Sequence, residues 1–251
     1  MFATLVALAP LALPLAPARA QTVGVSLVLA VDVSSSVDEA EYALQMRGLG
    51  EAFRHPDVLA AIGASTGGIA VALVQWSDSN AQGLSIDWTH VFDPASAAAM
   101  SELVVATPRA FTGGQTAVGN AIQFSLALLD RSRFQPLRQV IDISSDGRAN
   151  SGATPMSHRD RAIARGVTIN GLAIMNEEPF VDRFFARNVI GGAGSFLMTA
   201  ENYEDFAAAI VKKLVREIGA PLAAPSLGGA TTLALRGQSP APALSQPSLT
   251  R

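Results

Sequence analysis

Cysteine is absent from this 251-residue chain, which excludes disulfides, thiol catalysis and thiolate metal sites together. A bound metal would have to be held by oxygen or imidazole, and there are only three histidines, His55, His90 and His158. No cluster of Lys and Arg occurs and the formal net charge is −3, so the chain lacks the electrostatic footprint of a nucleic-acid binder. Neither a G-x-G-x-x-G nor a Walker loop is present, which argues against nucleotide binding. Beyond the first twenty residues no apolar stretch approaches the roughly 18 residues needed to cross a bilayer, so no stable membrane span is expected after processing.

Hydrophobic residues make up 49 % of the chain, enough for a substantial core. Phe2 to Pro17 is apolar and closes on Ala18-Arg19-Ala20, a small-x-small cleavage pattern. Residues 1–20 therefore read as an export signal, although no Lys or Arg precedes the apolar run. The mature protein is expected to be periplasmic or extracellular. Residues 220–251 are dominated by Ala, Pro, Ser, Leu and Gly with two arginines as their only charges, the composition of a flexible tail.

Between these segments, residues 22–219 alternate strand and helix signals. Val23 to Val33 is a continuous Val/Leu/Ala run, as in a strand covered on both faces. Ser36 with Glu39 three residues on predicts a capped helix that runs to about Arg54 and is stopped by His55-Pro56. Further strands are expected at Ile69–Trp76, Leu84–Trp88 (a half-exposed edge), Val140–Ser145, Val167–Ile174 and Ser195–Met198. Helices are expected near Ala95–Ala106, Ala117–Asp130, Ser157–Arg165, Pro179–Val189 and Tyr203–Ile218. The pattern is that of a doubly wound α/β domain with a mostly parallel sheet.

Three strand-end or loop segments carry chemistry: Asp32-Val33-Ser34-Ser35-Ser36, Thr112-Gly113-Gly114-Gln115-Thr116, and Ser144-Ser145-Asp146-Gly147. Singly, each has a structural explanation: Ser36 as a helix cap, Thr116 as a cap of the next helix, Asp146-Gly147 as a turn. Jointly they leave Asp32 unexplained, because a carboxylate ending a buried apolar strand needs a partner and no Lys or Arg is near it in sequence. A second strand-end acid, Asp146, adds like-charge repulsion. A divalent cation between the two offsets both effects, and carboxylate and hydroxyl donors favour Mg²⁺, Mn²⁺ or Ca²⁺ over zinc or copper.

The set Asp32-x-Ser34-x-Ser36, Thr116 and Asp146-Gly147 resembles the metal-ion-dependent adhesion site of von Willebrand factor A domains. Leu27–Asp38, Gly68–Ser77, Arg138–Gly147, Gly166–Ile174 and Asn188–Ser195 further resemble a bacterial family of exported A-type domains of unknown function. The resemblance implies a six-stranded sheet in the order 3-2-1-4-5-6 with the short third strand antiparallel at the edge. It also implies direct metal ligation by Ser34, Ser36 and Thr116, with Asp32 and Asp146 acting mainly through water. Ser35 stands where many relatives carry Gly, at a position directed away from the metal.

Three functions remain open at this point. The first is a cation-dependent binding module that recognises an acidic residue of a protein partner. The second is a metal-dependent hydrolase of phosphate esters with Asp32 as nucleophile, although Ser34 stands where such enzymes usually carry a second Asp. The third is a domain whose metal is only structural. A Ser-His-acid hydrolase has weak support, since neither His55 nor His90 is expected beside a serine elbow, and His158 is expected to be a solvated helix-start residue. Trp76 and Trp88 read as packing residues, and Arg183 with Arg187 as a solvated helix face.

Overall fold

The computed structural model describes residues 21–219; the expected export signal and the expected tail lie outside the described residues. Six strands form one sheet in the order β3-β2-β1-β4-β5-β6. They are β1 (Gln21–Asp32), β2 (Ile69–Trp76), β3 (Gln82–Val91), β4 (Phe134–Ser145), β5 (Thr168–Ile174) and β6 (Leu197–Ala200). Only the β2–β3 pairing is antiparallel, and β3 occupies the edge. The helices are α1 (Glu39–Ala52), α2 (Pro56–Ala64), α3 (Pro94–Ala106), α4 (Val118–Asp130), α5 (Pro155–Ala164), α6 (Val181–Asn188) and α7 (Tyr203–Gly219).

β1 is buried from Val23 to its end because helices cover both faces of the sheet. Its alternate side chains feed two separate cores, as the two-residue period of a strand requires. Val25, Leu27, Leu29 and Val31 pack with Leu49 of α1, Met100 of α3 and Phe206 of α7. Val28 and Ala30 pack with Ile122 of α4, Ala162 of α5 and Phe185 of α6. Each large aliphatic or aromatic chain buried in this way stabilises the fold by about 1.5–3 kcal/mol relative to exposure. Trp76 and Trp88 belong to the second core, as expected.

The sheet winds outward in opposite directions from β1 and β4, which lie side by side. Ligand crevices in open α/β sheets form at that reversal, outside the carboxyl ends of the strands. The β1–α1 and β4–α5 loops emerge there together.

Several boundaries differ from expectation for identifiable reasons. Asp38, not Ser36, caps α1: Asp38 accepts from the Glu41 N–H and Glu41 accepts from the Asp38 N–H, both at 2.8 Å. His55-Pro56 ends one helix but also starts another, because proline suits a first helical turn and the His55 ring accepts from the Asp57 N–H. β3 is longer than its alternating stretch and holds its pairing with β2 through register shifts. β4 begins at Phe134, since residues 134–136 continue the ladder with Gln21–Val23. β6 lies two residues further on than expected, pairing Leu197–Ala200 with β5.

Gly119, in the first turn of α4, sets how closely that helix approaches the segment after β4. A Cβ there would overlap the backbone carbonyl of Ala153. Gly119→Ala is therefore expected to destabilise the protein by about 1–3 kcal/mol. The urea midpoint checks this, and an unchanged midpoint would show that the facing loop yields freely.

Candidate metal centre

All five residues expected at the site converge. Asp32 ends β1 with its carboxylate buried: Oδ1 accepts from the Ser34 N–H at 2.8 Å and Oδ2 from Ser145 Oγ at 2.5 Å. Asp146 follows the last residue of β4, and its Oδ1 accepts from Ser36 Oγ at 2.8 Å. Ser34 Oγ lies 3.2 Å from Ser36 Oγ and accepts from Thr116 Oγ1 at 3.3 Å. The Asp146 Oδ2 atom is buried and has no hydrogen-bond partner.

The cap explanations of Ser36 and Thr116 do not hold here. The cap of α1 is Asp38, which leaves the Ser36 hydroxyl free to face Asp146. Ala117 occupies the cap position of α4 and no side chain caps that helix, so Thr116 is not a cap. Instead Asn150 fastens the Thr116 backbone at 2.8 and 3.1 Å, and the hydroxyl turns toward Ser34. Gly114 adopts φ 103°, and its carbonyl accepts from both the Ser35 N–H and Ser35 Oγ, which ties this loop to the β1–α1 loop. Ser35 thus joins the loops and makes no hydrogen bond to the side chains of the five candidate donors.

Two supporting residues gave no signal in the sequence motif. Arg109 is almost buried, and its guanidinium donates to the carbonyls of Val33, Ser34 and Val37 at 3.0, 3.0 and 2.6 Å, gathering the β1–α1 loop. Tyr203, the first residue of α7, has a buried hydroxyl without a completed hydrogen bond. Burial, together with the charges of Asp146 and Asp32, raises its pKa. Arg109 is recognisable only through the fold, because seventy-odd residues separate it from the loop it holds.

The two acids are poorly compensated. Burial, followed by the charge of Asp146, raises the Asp32 pKa to about 7, against the lowering effect of the Ser145 and Ser34 hydrogen bonds. Burial likewise raises Asp146. The leading influences on both are desolvation, hydrogen bonds and other carboxylates rather than any cation. Among the described residues no three His, Cys, Asp or Glu side chains cluster as metal ligands. The donors on offer are two carboxylates and three hydroxyls, a hard-oxygen set, and the partnerless Asp146 oxygen fits a cation of that class.

The histidines take no part. His55 caps α2, His90 bonds the Gly67 carbonyl at 2.8 Å, and His158 is buried rather than solvated, with its pKa lowered by that burial. One Gly-x-Ser-x-Gly stretch, Gly63–Gly67, does occur in the chain. It joins α2 to β2, a helix-to-strand turn instead of the strand-to-helix elbow of a hydrolase, and Ser65 Oγ donates to the Gly68 carbonyl. Arg183 lies over the Phe180 ring, with its guanidinium carbon 4.4 Å from the centroid.

The sheet order and helix arrangement are those of the von Willebrand factor A-type α/β fold. The mussel byssus proximal thread matrix protein 1, in its form with a zinc-occupied MIDAS motif, superposes with a TM-score of 0.57 at 16 % identity, over 79 % of this chain and 47 % of that one. A von Willebrand factor type A protein from Catenulispora acidiphila gives 0.55 at 17 % identity, over 78 % and 43 %. The von Willebrand factor domain of the type V pili tip protein Mfa5 from Porphyromonas gingivalis gives 0.57 at 13 % identity, over 80 % and 97 %. The chain thus spans about half the length of the first two proteins. It belongs to the family described as "Protein of unknown function (DUF1194)", which matches residues 22–222. No curated protein matches it in sequence.

The raised acids give a pH signature in the absence of divalent metal. A carboxyl whose folded pKa exceeds its unfolded value holds a proton in the folded state that the unfolded chain has released. Stability then falls as pH rises between the two values. For Asp32 that window runs from about pH 4 to about pH 7 and spans on the order of 4 kcal/mol. Asp146 and the buried Glu217 contribute with the same sign. In EDTA the urea midpoint is expected to fall across this window, and Asp32→Asn should flatten part of the slope. An equal slope in wild type and variant would remove Asp32 as its source.

Proposed function

We propose that this protein is an exported binding module that holds one divalent cation through Asp32, Ser34, Ser36, Thr116 and Asp146 and uses it to take up a carboxylate of a protein partner. The observation that carries this reading is the buried, partnerless Asp146 oxygen beside three hydroxyls that share hydrogen bonds only within the site. Ser34, Ser36 and Thr116 supply oxygen without charge. A cation among them keeps much of its positive charge and remains open to an external anionic donor. Mg²⁺ or Mn²⁺ suits this set best. The zinc in the MIDAS motif of the mussel protein supports a divalent ion in a site on the same fold.

Ser34 also separates this reading from a phosphohydrolase, since it offers a hydroxyl where a second acid would serve proton transfer. Export agrees with the small-x-small pattern at Ala18-Arg19-Ala20 and with a pilus tip protein among the structural relatives. Among the described residues no helix is long and apolar enough to cross a membrane.

Isothermal titration with Mg²⁺ and Mn²⁺ tests the metal. One site is expected in wild type, none in Asp32→Ala, and affinity weakened about tenfold in Thr116→Ala, which loses one neutral ligand. Saturating metal at a hundredfold excess over Kd should add about 2.7 kcal/mol to stability. Unchanged affinity in Asp32→Ala would remove the proposal. Pull-down from the exporting cell's envelope with Mg²⁺ against EDTA tests the partner: a metal-dependent catch lost in Thr116→Ala supports recognition through the ion. Equal capture in EDTA would leave the metal a structural role only.

A further inference from the structure

Outside the candidate metal site the core holds three charged side chains that the site does not use. Lys213 of α7 is fully buried, and its Nζ lies 2.5 Å from Asp142 Oδ1 and 2.6 Å from Glu217 Oε1. Asp142 comes from the interior of β4, opposite Asn170 of β5, and Glu217 stands one helical turn after Lys213. All three are almost wholly removed from water.

The two contacts of the ammonium differ in kind. Lys213 donates a hydrogen bond to Glu217, whereas neither oxygen of Asp142 has a hydrogen-bond partner, although Nζ touches one of them. Nζ therefore meets the Asp142 carboxyl off the line that a donor takes. The carboxyl carbon, one bond beyond Oδ1, is then roughly 3–3.5 Å from Nζ, the separation of atoms poised to react. Glu217 is fixed beside them. Asn170 donates to its Oε1 at 2.9 Å, and Arg138 of β4 donates to the carbonyls of Glu217 and Ile218 at 2.6 and 3.2 Å. A cavity of about 10 Å³, lined by Asp142, Ser144, Leu29 and Phe206 among others, adjoins the carboxyl and is close to the least space that one water molecule fills.

We propose that Lys213 and Asp142 condense, with Glu217 carrying the proton, into an amide bond that covalently joins α7 to β4. A proton first passes from the Lys213 ammonium to the Asp142 carboxylate, leaving an amine and a carboxylic acid. The amine lone pair forms the C–N bond at Asp142 Cγ while the C=O pair moves onto oxygen. Glu217 takes the surplus proton from nitrogen and returns it to the hydroxyl, which leaves as water with its bonding pair as the carbonyl reforms. One ammonium and one carboxylate thus become one amide and one water, and the balance needs no oxidant or further reactant. Burial, followed by the charge of Asp142, raises the Glu217 pKa well above the usual carboxylate range. That suits a group that must both accept and return a proton near neutral pH. The buried setting also favours the product, because the amide replaces two ions whose desolvation is costly.

Mass spectrometry of the purified full chain, denatured after incubation at neutral pH to constant mass, tests this. The wild type is expected to weigh one water molecule less than its sequence. Trypsin should then release a branched peptide joining residues 139–148 to residues 213–216. Lys213→Met and Asp142→Ala should keep their full mass. Glu217→Gln, which retains both reactants, should lower the cross-linked fraction at least about tenfold at matched times. A wild type of full mass overturns the proposal, and so does a missing water that lies anywhere but in that branched peptide. Cross-linking as complete in Glu217→Gln as in wild type overturns the part assigned to Glu217. Should a variant fail to fold, the wild-type mass and its branched peptide decide the matter alone.

Discussion

Two carboxylates at the ends of neighbouring buried strands are the constraint on which the rest of this structure depends. Asp32 and Asp146 are placed together by the β1–β4 pairing, and among the described residues no cation is a leading influence on either. Every nearby detail follows from accommodating them. Ser145 and the Ser34 N–H satisfy Asp32 in part, and Ser36 satisfies one oxygen of Asp146. The helix cap moves two residues on to Asp38, and the glycine pair before α4 brings Thr116 in.

The same strand shows the alternative treatment. Asp142 lies four residues before Asp146 on β4 and is equally hidden from solvent, yet it is answered by Lys213 from α7. Asp142 is thus met by a cation of the fold, and Asp146 is not. The contrast argues that under-compensation at the strand end is a property of the site and not of β4 in general.

Most of the fold was legible because both of its periods are plain. β2 lies at its expected bounds, and the alternating strands and helices predicted the doubly wound sheet. The convergence of the five candidate donors was legible because four of them lie at or just after the ends of β1 and β4, where motif and topology coincide. The residues that escaped do so for a physical reason: their role is set by distant partners. The Ser36 cap reading failed because Asp38 with Glu41 offers the same local chemistry two residues on, and only Asp146, over a hundred residues away, decides between them. α2 was passed over because proline was taken as a stop without its second meaning as a start. Lys213 and Glu217 did leave a trace: they share the apolar stripe of Phe206, Ile210 and Leu214, where a charged pair at i,i+4 is out of place.

Arg109 bears on how portable the motif is. The Asp-x-Ser-x-Ser pentapeptide appears self-contained in sequence, but three backbone carbonyls of its loop converge on one guanidinium delivered from the segment after α3. Transplanted onto another parallel sheet, the five residues would bring their donors but not the hub that gathers the chain beneath them. The minimal inheritable unit is therefore the pentapeptide together with an arginine two strands and three helices further along the chain, and a search for kindred sites by short motif alone will find sequences that cannot close the loop.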